Sequence, residues 1–166
     1  MTIPRDFAYI GPEEHWFTTN RYAAHVVSGD TTRFSVSSGL AGEICDRVIA
    51  AADGSIWISH NEQGVLSRRF RNGIWRTYTG SDGLAGAALT KLYETNDGSL
   101  LVGSKKGLMM LVPGLEKIAD TTGDLAPWFI GEDEQGYTWS LDDQYVYLHS
   151  TNYTSRFSPD EHFDGE

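Results

Sequence analysis

The sequence predicts an all-β fold built as four four-stranded antiparallel blades of a β-propeller, and three observations predict it. A turn followed by a strand returns four times, as Pro12-Glu13-Glu14-His15-Trp16, Asp53-Gly54-Ser55-Ile56-Trp57, Asp97-Gly98-Ser99-Leu100-Leu101 and Gln135-Gly136-Tyr137-Thr138-Trp139, with its anchor residues 41, 44 and 38 positions apart. A second anchor, Leu40, Leu84, Leu125 and Phe163, keeps step at 44, 41 and 38. Each repeat, about forty residues long, holds four short β-rich runs and no helical period, which is the signature of a propeller blade. A two-sheet sandwich or a barrel also accommodates many short strands. Neither has a reason to return an aromatic anchor and a Gly-Leu corner at one offset.

Taken in order, the first repeat offers strands at Phe7 to Ile10, His15 to Thr18, Ala24 to Val27 and Thr32 to Val36. The second is the clearest: Arg47 to Ala51, Ile56 to His60, Val65 to Phe70 and Ile74 to Tyr78, separated by Asp53-Gly54, Gly64 and Asn72-Gly73. Asp-Gly and Asn-Gly between β-rich runs predict type I′ hairpins, whose two central residues need positive φ. The third repeat runs Thr90 to Glu94, Leu100 to Ser104, Leu108 to Leu111 and a weaker Leu115 to Ala119; the fourth runs Trp128 to Glu132, Tyr137 to Leu141, Tyr145 to His149 and Thr154 to Ser158. The expected organisation is a single domain over 1–166, with blades at 5–36, 44–79, 88–120 and 126–159.

Side chains alternate between the two faces of a blade, so a tryptophan at a fixed offset fills the space between neighbouring sheets. Trp16, Trp57 and Trp139 are therefore expected between blades. Trp75 and Trp128 fall off the repeat and are expected exposed or at the channel mouth.

Composition bounds the partners. With 13 Lys+Arg against 23 Asp+Glu, the net charge of -10 repels polyphosphates and anionic bilayers, which sets aside nucleic acid and membrane surfaces. No run reaches the length of a membrane span, and Met1 to Asp6 lacks the apolar core of a signal peptide, which predicts a cytoplasmic location for the chain as written. Cys45 is the only cysteine, so no internal disulfide forms; at a strand entrance with no flanking cation it reads as a small buried hydrophobe.

The stretch from Ser38-Gly39-Leu40 through Asp53-Gly54-Ser55-Ile56-Trp57-Ile58 to Tyr78 and Ser81-Asp82-Gly83-Leu84 resembles the two-component regulator propeller repeat, which runs from one Gly-Leu corner to the next. The Trp-x-Gly-Thr of that family stands here as Trp57-Ile58-Ser59-His60, Leu101-Val102-Gly103-Ser104 and Trp139-Ser140-Leu141-Asp142. The resemblance implies a sensor or interaction domain of a bacterial signalling protein, periplasmic where it forms part of a longer sensor. It also implies that ligands meet the face carrying the loops between second and third strands. Those loops hold Asn20 and Arg21, His60 and Asn61, Lys105, and Asp142 and Asp143, with Trp128 nearby as a stacking anchor.

A metal site from His60, Asn61, Asp142 and Asp143 would need its ligands within about 2.5 Å of one point. Equivalent loops of neighbouring blades stand on the order of 10 Å apart. No metal and no cofactor are therefore expected. Catalytic residues are not assigned either, because no nucleophile elbow is present and Glu13-Glu14 and Asp142-Asp143 point to opposite faces if extended.

Four blades make an arc whose end sheets expose apolar flanks, so the chain is expected to associate with a second copy or another protein. Phe163, at the place of Leu40 and Leu84, with Phe7 and Tyr9 at the other end, marks the expected joint of two arcs in an eight-bladed ring; a part of a longer propeller and a closed four-bladed monomer are the rivals. Two function classes follow. One is a non-catalytic binding module for a protein, peptide, sugar or other small polar ligand. The other is a propeller enzyme, a lyase or hydrolase, or a sugar sensor, with its site at the central channel.

Overall fold

The computed structural model describes residues 1–60, 64–112, 119–122, 127–149 and 154–158. Among the described residues sixteen strands form four separate four-stranded sheets, each an antiparallel meander. Blade 1 holds β1 (Pro4–Gly11), β2 (Glu14–Thr19), β3 (Ala23–Val27) and β4 (Asp30–Phe34). Blade 2 holds β5 (Val48–Ala50), β6 (Ile56–His60), β7 (Val65–Arg69) and β8 (Trp75–Tyr78). Blade 3 holds β9 (Leu89–Glu94), β10 (Leu100–Ser104), β11 (Gly107–Leu111) and β12 (Ala119–Thr122), and blade 4 holds β13 (Phe129–Glu132), β14 (Thr138–Leu141), β15 (Val146–His149) and β16 (Thr154–Phe157). No helix among the described residues is long and apolar enough to cross a membrane.

One register runs through all four sheets. Phe7 pairs with Phe17, Val48 with Ile58, Leu92 with Val102 and Ile130 with Ser140, so these residues are equivalent. Period-two alternation then decides the core. Trp16 turns toward blade 2 and packs with Val48, Ile56 and Ile58, alongside Leu40 and Cys45. Trp57 turns toward blade 3 and packs with Leu84, Leu89, Leu92, Leu100 and Val102. Leu101 turns toward blade 4 and meets Ile130, with Tyr147 beside it. The inner strands stack in series, β1 on β5, β5 on β9 and β9 on β13.

The Gly-Leu corners are built alike. Val36–Ser38 and Gly80–Asp82 each make a short 3-10 turn ending in a left-handed glycine, Gly39 at φ 110° and Gly83 at φ 103°. Leu40 N–H donates to Ser35 O and Leu84 N–H to Thr79 O, both at 3.2 Å, which drops each leucine between two blades.

Several expectations need correction. Asp53-Gly54 and Asn72-Gly73 do not make type I′ turns: only the glycine of each pair has positive φ, 80° and 88°. Gly54 N–H reaches Ala51 O at 2.9 Å and Ala51 N–H reaches Ser55 O at 2.8 Å, a tight turn followed by a glycine bulge. The carboxylate of Asp53 takes the N–H of Ser55 instead of the backbone twisting to a mirror turn. The type I′ geometry belongs to Ser28-Gly29, with φ of 49° and 88°.

Trp75, expected exposed or at the channel mouth, is half-buried in the joint of blades 1 and 2. Its ring meets Trp16 edge-on at 6.4 Å and Phe34 at 5.5 Å, under the corner at Gly39, where a Cβ would come 2.8 Å from the indole. Trp139, expected between blades, is only half-buried, because it turns away from blade 3. The last strand of blade 3, expected at Leu115 to Ala119, is described over Ala119–Thr122, and 115–118 and Leu125 lie outside the described residues.

Gly64 enters β7 at φ 58°, and a Cβ there would sit 2.6 Å from the backbone oxygen of Ala87. Gly64→Ala is expected to destabilise by about 1–3 kcal/mol, since backbone at that distance must shift. Denaturant melts of the two proteins check it, and coincident midpoints would contradict it.

Candidate functional site

A cleft of about 400 Å3 opens between blades 2 and 3, on the side of the chain carrying the Asp53-Gly54 and Asp97-Gly98 turns. Its wall is apolar, from Trp57, Leu100 and Leu111, and its rim is charged, from Asp53, Arg68 and Glu94. The guanidinium of Arg68 lies over the rings of Trp57 and Phe70, 4.7 and 4.5 Å from their centroids, and donates to Asp53 and to Ser55 Oγ. Burial alone would raise the Asp53 pKa, but the hydrogen bonds from Ser55 and the charge of Arg68 outweigh it and hold the carboxyl below its usual range.

Glu94 closes the other side by accepting the Ala52 N–H at 2.8 and 3.0 Å. Glu132 repeats this one blade later, accepting the Asn96 N–H at 2.7 Å. The glutamate at the end of the inner strand thus clamps the first turn of the preceding blade. Sequence reasoning missed the cleft and the clamp, although Glu94 and Glu132 stand at one offset before their turns. These charged groups are already engaged in holding blade 2 and its joint with blade 3.

The loop residues singled out from the sequence are dispersed in their contacts. Asn20 holds the N-terminal segment, accepting the Ile3 N–H at 2.8 Å on Oδ1. Arg21, Asp143 and Lys105 are exposed. Asp142 shapes its own turn, accepting from Gln144 N and Tyr145 N at 2.8 Å and from the Tyr147 hydroxyl at 2.9 Å. Its pKa lies below the usual range despite burial because of these donors, while burial and then Asp142 push Tyr147 up to about 12. Trp128 is 57% exposed, edge-on to Phe129. His60 is buried and Asn61 lies outside the described residues. Among the described residues no group of three or more His, Cys, Asp or Glu is placed to hold a metal ion.

His60 belongs to a relay that fixes the linker between blades 1 and 2. Ala41 N–H donates to Ser67 Oγ, the Ser67 hydroxyl to His60 Nε2 at 2.9 Å, and His60 Nδ1–H to Ile44 O at 3.2 Å. Ile44 O can only accept, which sets this tautomer. A second serine–histidine pair joins Ser140 to His149 at 2.6 Å. Both serines are fully buried, so neither presents a nucleophile to a substrate. Cys45 is equally buried, and burial pushes its thiol up to about 12.

Among the described residues, the outer flanks of the end blades carry apolar side chains with no other described sheet against them. Blade 1 turns Phe7, Tyr9, His15 and Phe17 outward, and blade 4 turns Phe129, Trp139, Leu148 and Phe157 outward. Phe7 is 55% and Tyr9 64% exposed, whereas Val48, Leu92 and Ile130, equivalent to Phe7, are 2–3% exposed. Phe163 lies outside the described residues.

Solved structures similar over nearly the whole chain include a catalytically inactive virginiamycin B lyase of Staphylococcus aureus, at TM-score 0.78 and 16% identity, covering 95% of this chain and 56% of that one. The extracellular domain of a hybrid two component system of B. thetaiotaomicron aligns at 0.77 and 16%, covering 95% and 22%. PorZ of Porphyromonas gingivalis, a surface component of the type-IX secretion system, aligns at 0.77 and 12%, covering 95% and 23%. The chain has a β-propeller fold. It spans about half of the lyase chain and under a quarter of the other two. No protein-family model and no curated protein matches it. In the propeller, Trp139 with Phe157 repeats the aromatic pairs Trp16 with Phe34 and Trp57 with Tyr78, ring centroids 6.3, 5.2 and 5.2 Å apart.

Proposed function

We propose that this chain is a non-catalytic propeller module that works by association through its end flanks, as an interaction part of a sensor of the two-component regulator propeller type. One observation carries the reading: positions buried to 2–3% at the joints within the chain are occupied at its head by Phe7, 55% exposed. A contiguous aromatic face of this kind is costly to leave in water and marks an association surface. The likeness in fold to extracellular two-component domains supports the sensor setting, and in that setting the module sits outside the cytoplasm. The cleft between blades 2 and 3 is the place such a sensor would offer a small polar ligand.

The test is hydroxyl-radical footprinting of the protein in extracts of its own cells, read at Phe7, Tyr9 and Phe129. Association predicts that these three label far less, relative to their intrinsic reactivities, than Ile74, which is 61% exposed just before β8. Labelling of all four at rates set by exposure would contradict the reading.

A further inference from the structure

We propose that the cleft between blades 2 and 3 binds a small organic cation, an amine or guanidine carried on an apolar stem or ring. The inference rests on the reading of this cleft as the module's ligand site and names the ligand class. A described sheet bounds the cleft on each side, so the site is complete without reference to the ends of the arc. Its volume of about 400 Å3 lies within the range of small-molecule sites. Trp57, Leu100, Leu111, Ala51 and Val112 line it with hydrocarbon, the last two half-buried and so reachable from solvent. An apolar body gains by being covered there.

Charge decides what that body carries. Three carboxylates line the cleft, Asp53, Glu94 and Asp97, against the single guanidinium of Arg68. Arg68 is already committed to Asp53, to Ser55 and to the rings of Trp57 and Phe70. Neither Glu94 nor Asp97 has an ion pair among the described residues. The two turns of the rim supply an internal comparison. Asp53-Gly54-Ser55 and Asp97-Gly98-Ser99 are equivalent, and in each the aspartate Oδ1 accepts the serine N–H, at 2.8 and 2.9 Å. Asp53 Oδ2 then accepts from Arg68 of β7. Trp57 pairs with Arg68 and Leu101 with Met110, so Met110 stands where blade 3 would need a cation, and Asp97 Oδ2 accepts from no such side chain. The Thr95 hydroxyl and then the Ser99 amide hold the Asp97 carboxyl below its usual range, so it stays ionised in mild acid. Glu94 gives one lone pair of each oxygen to the Ala52 N–H and keeps the others. The turn amides of Ala52 and Asn96 are taken by Glu94 and Glu132, so the rim offers acceptors. Such a rim suits the N–H groups of an ammonium or guanidinium and repels a carboxylate or phosphate. Arg68 shows the mode of binding within the chain itself, a guanidinium on an indole face with a carboxylate at its edge.

The test titrates the full chain with phenethylamine, and with phenethyl alcohol and phenylacetate as its neutral and anionic counterparts, and reads the NMR shifts of the Trp57 indole and of the Ala52 and Gly98 amides. The proposal predicts saturable shifts at these three groups with the amine, weakened about three- to tenfold by Asp97→Asn, which keeps the Oδ1 that caps the turn. Asp30→Asn, which removes the same charge from an exposed position of blade 1, is expected to leave the affinity unchanged. Equal weakening by both variants would mean attraction by the net charge of -10 alone and would overturn the site. Saturation by the alcohol or the acid in place of the amine would overturn the ligand class and leave the cleft as the module's ligand site, whereas no shift with any of the three would remove both.

Discussion

Trp57→Ala is expected to cost about 3–5 kcal/mol of folding stability, the range for truncating a buried tryptophan. Trp57 is 3% exposed, with Tyr78 at 5.2 Å and the Arg68 guanidinium over its face, and it closes the joint between blades 2 and 3 with Leu84, Leu89 and Leu92. Truncation leaves a void that two twisted sheets cannot collapse into without separating along the joint. Trp139→Ala at the equivalent position is expected to cost far less in the isolated chain, because that ring is half-exposed and no described blade covers it. Denaturant melts of the two variants at low protein concentration compare the sites. Equal losses would contradict the claim that anchors act by filling joints.

Acid is expected to destabilise the protein through His60 before it reaches the carboxylates. Burial pushes the imidazole down to about 4, with the hydrogen bond to Ile44 O opposing it. The pKa of an unfolded histidine is near 6.5. Above that pH both states are neutral and the group contributes no pH dependence. As pH falls from 6.5 toward 4 only the unfolded state takes the proton, so stability drops, on the order of 3 kcal/mol in all. His149, also lowered to about 4 by burial, acts in the same window. Asp53, Asp97, Asp133 and Asp142, all lowered, withdraw their contribution only as pH falls below the usual carboxylate range. Melts of the native protein and of His60→Gln at pH 7 and pH 5 should show a shallower loss for the variant. Parallel losses would remove His60 from the acid response.

Much of this architecture was legible in the sequence because propeller blades repeat, and a repeat makes weak local signals add. Fixed spacing put Trp16 and Trp57 in joints, and Leu40 and Leu84 at corners, correctly. Trp75 escaped because its burial comes from a neighbouring corner: Gly39, distant in sequence, leaves the space its ring fills. Trp139 escaped because an anchor is buried only where a neighbouring blade covers it, and no described blade does. The turns escaped in detail because Asp53 and Asn72 use their side chains to cap the loop and so spare their own backbone a positive φ. The inter-blade cleft and the glutamate clamps were illegible because they join residues 42 and 36 positions apart, a contact that strand patterns do not encode. His60 reads as a loop-face residue from its position at a strand end, yet its ring turns inward to hold the linker at Ile44.

Light scattering coupled to size exclusion tests the central proposal, that the apolar end flanks of the arc are association surfaces. The account predicts a mass above 18.4 kDa that falls to 18.4 kDa in Phe7→Glu, with a lower melting midpoint at the same concentration because association stabilises the folded state. A native mass of 18.4 kDa across micromolar concentrations would contradict it.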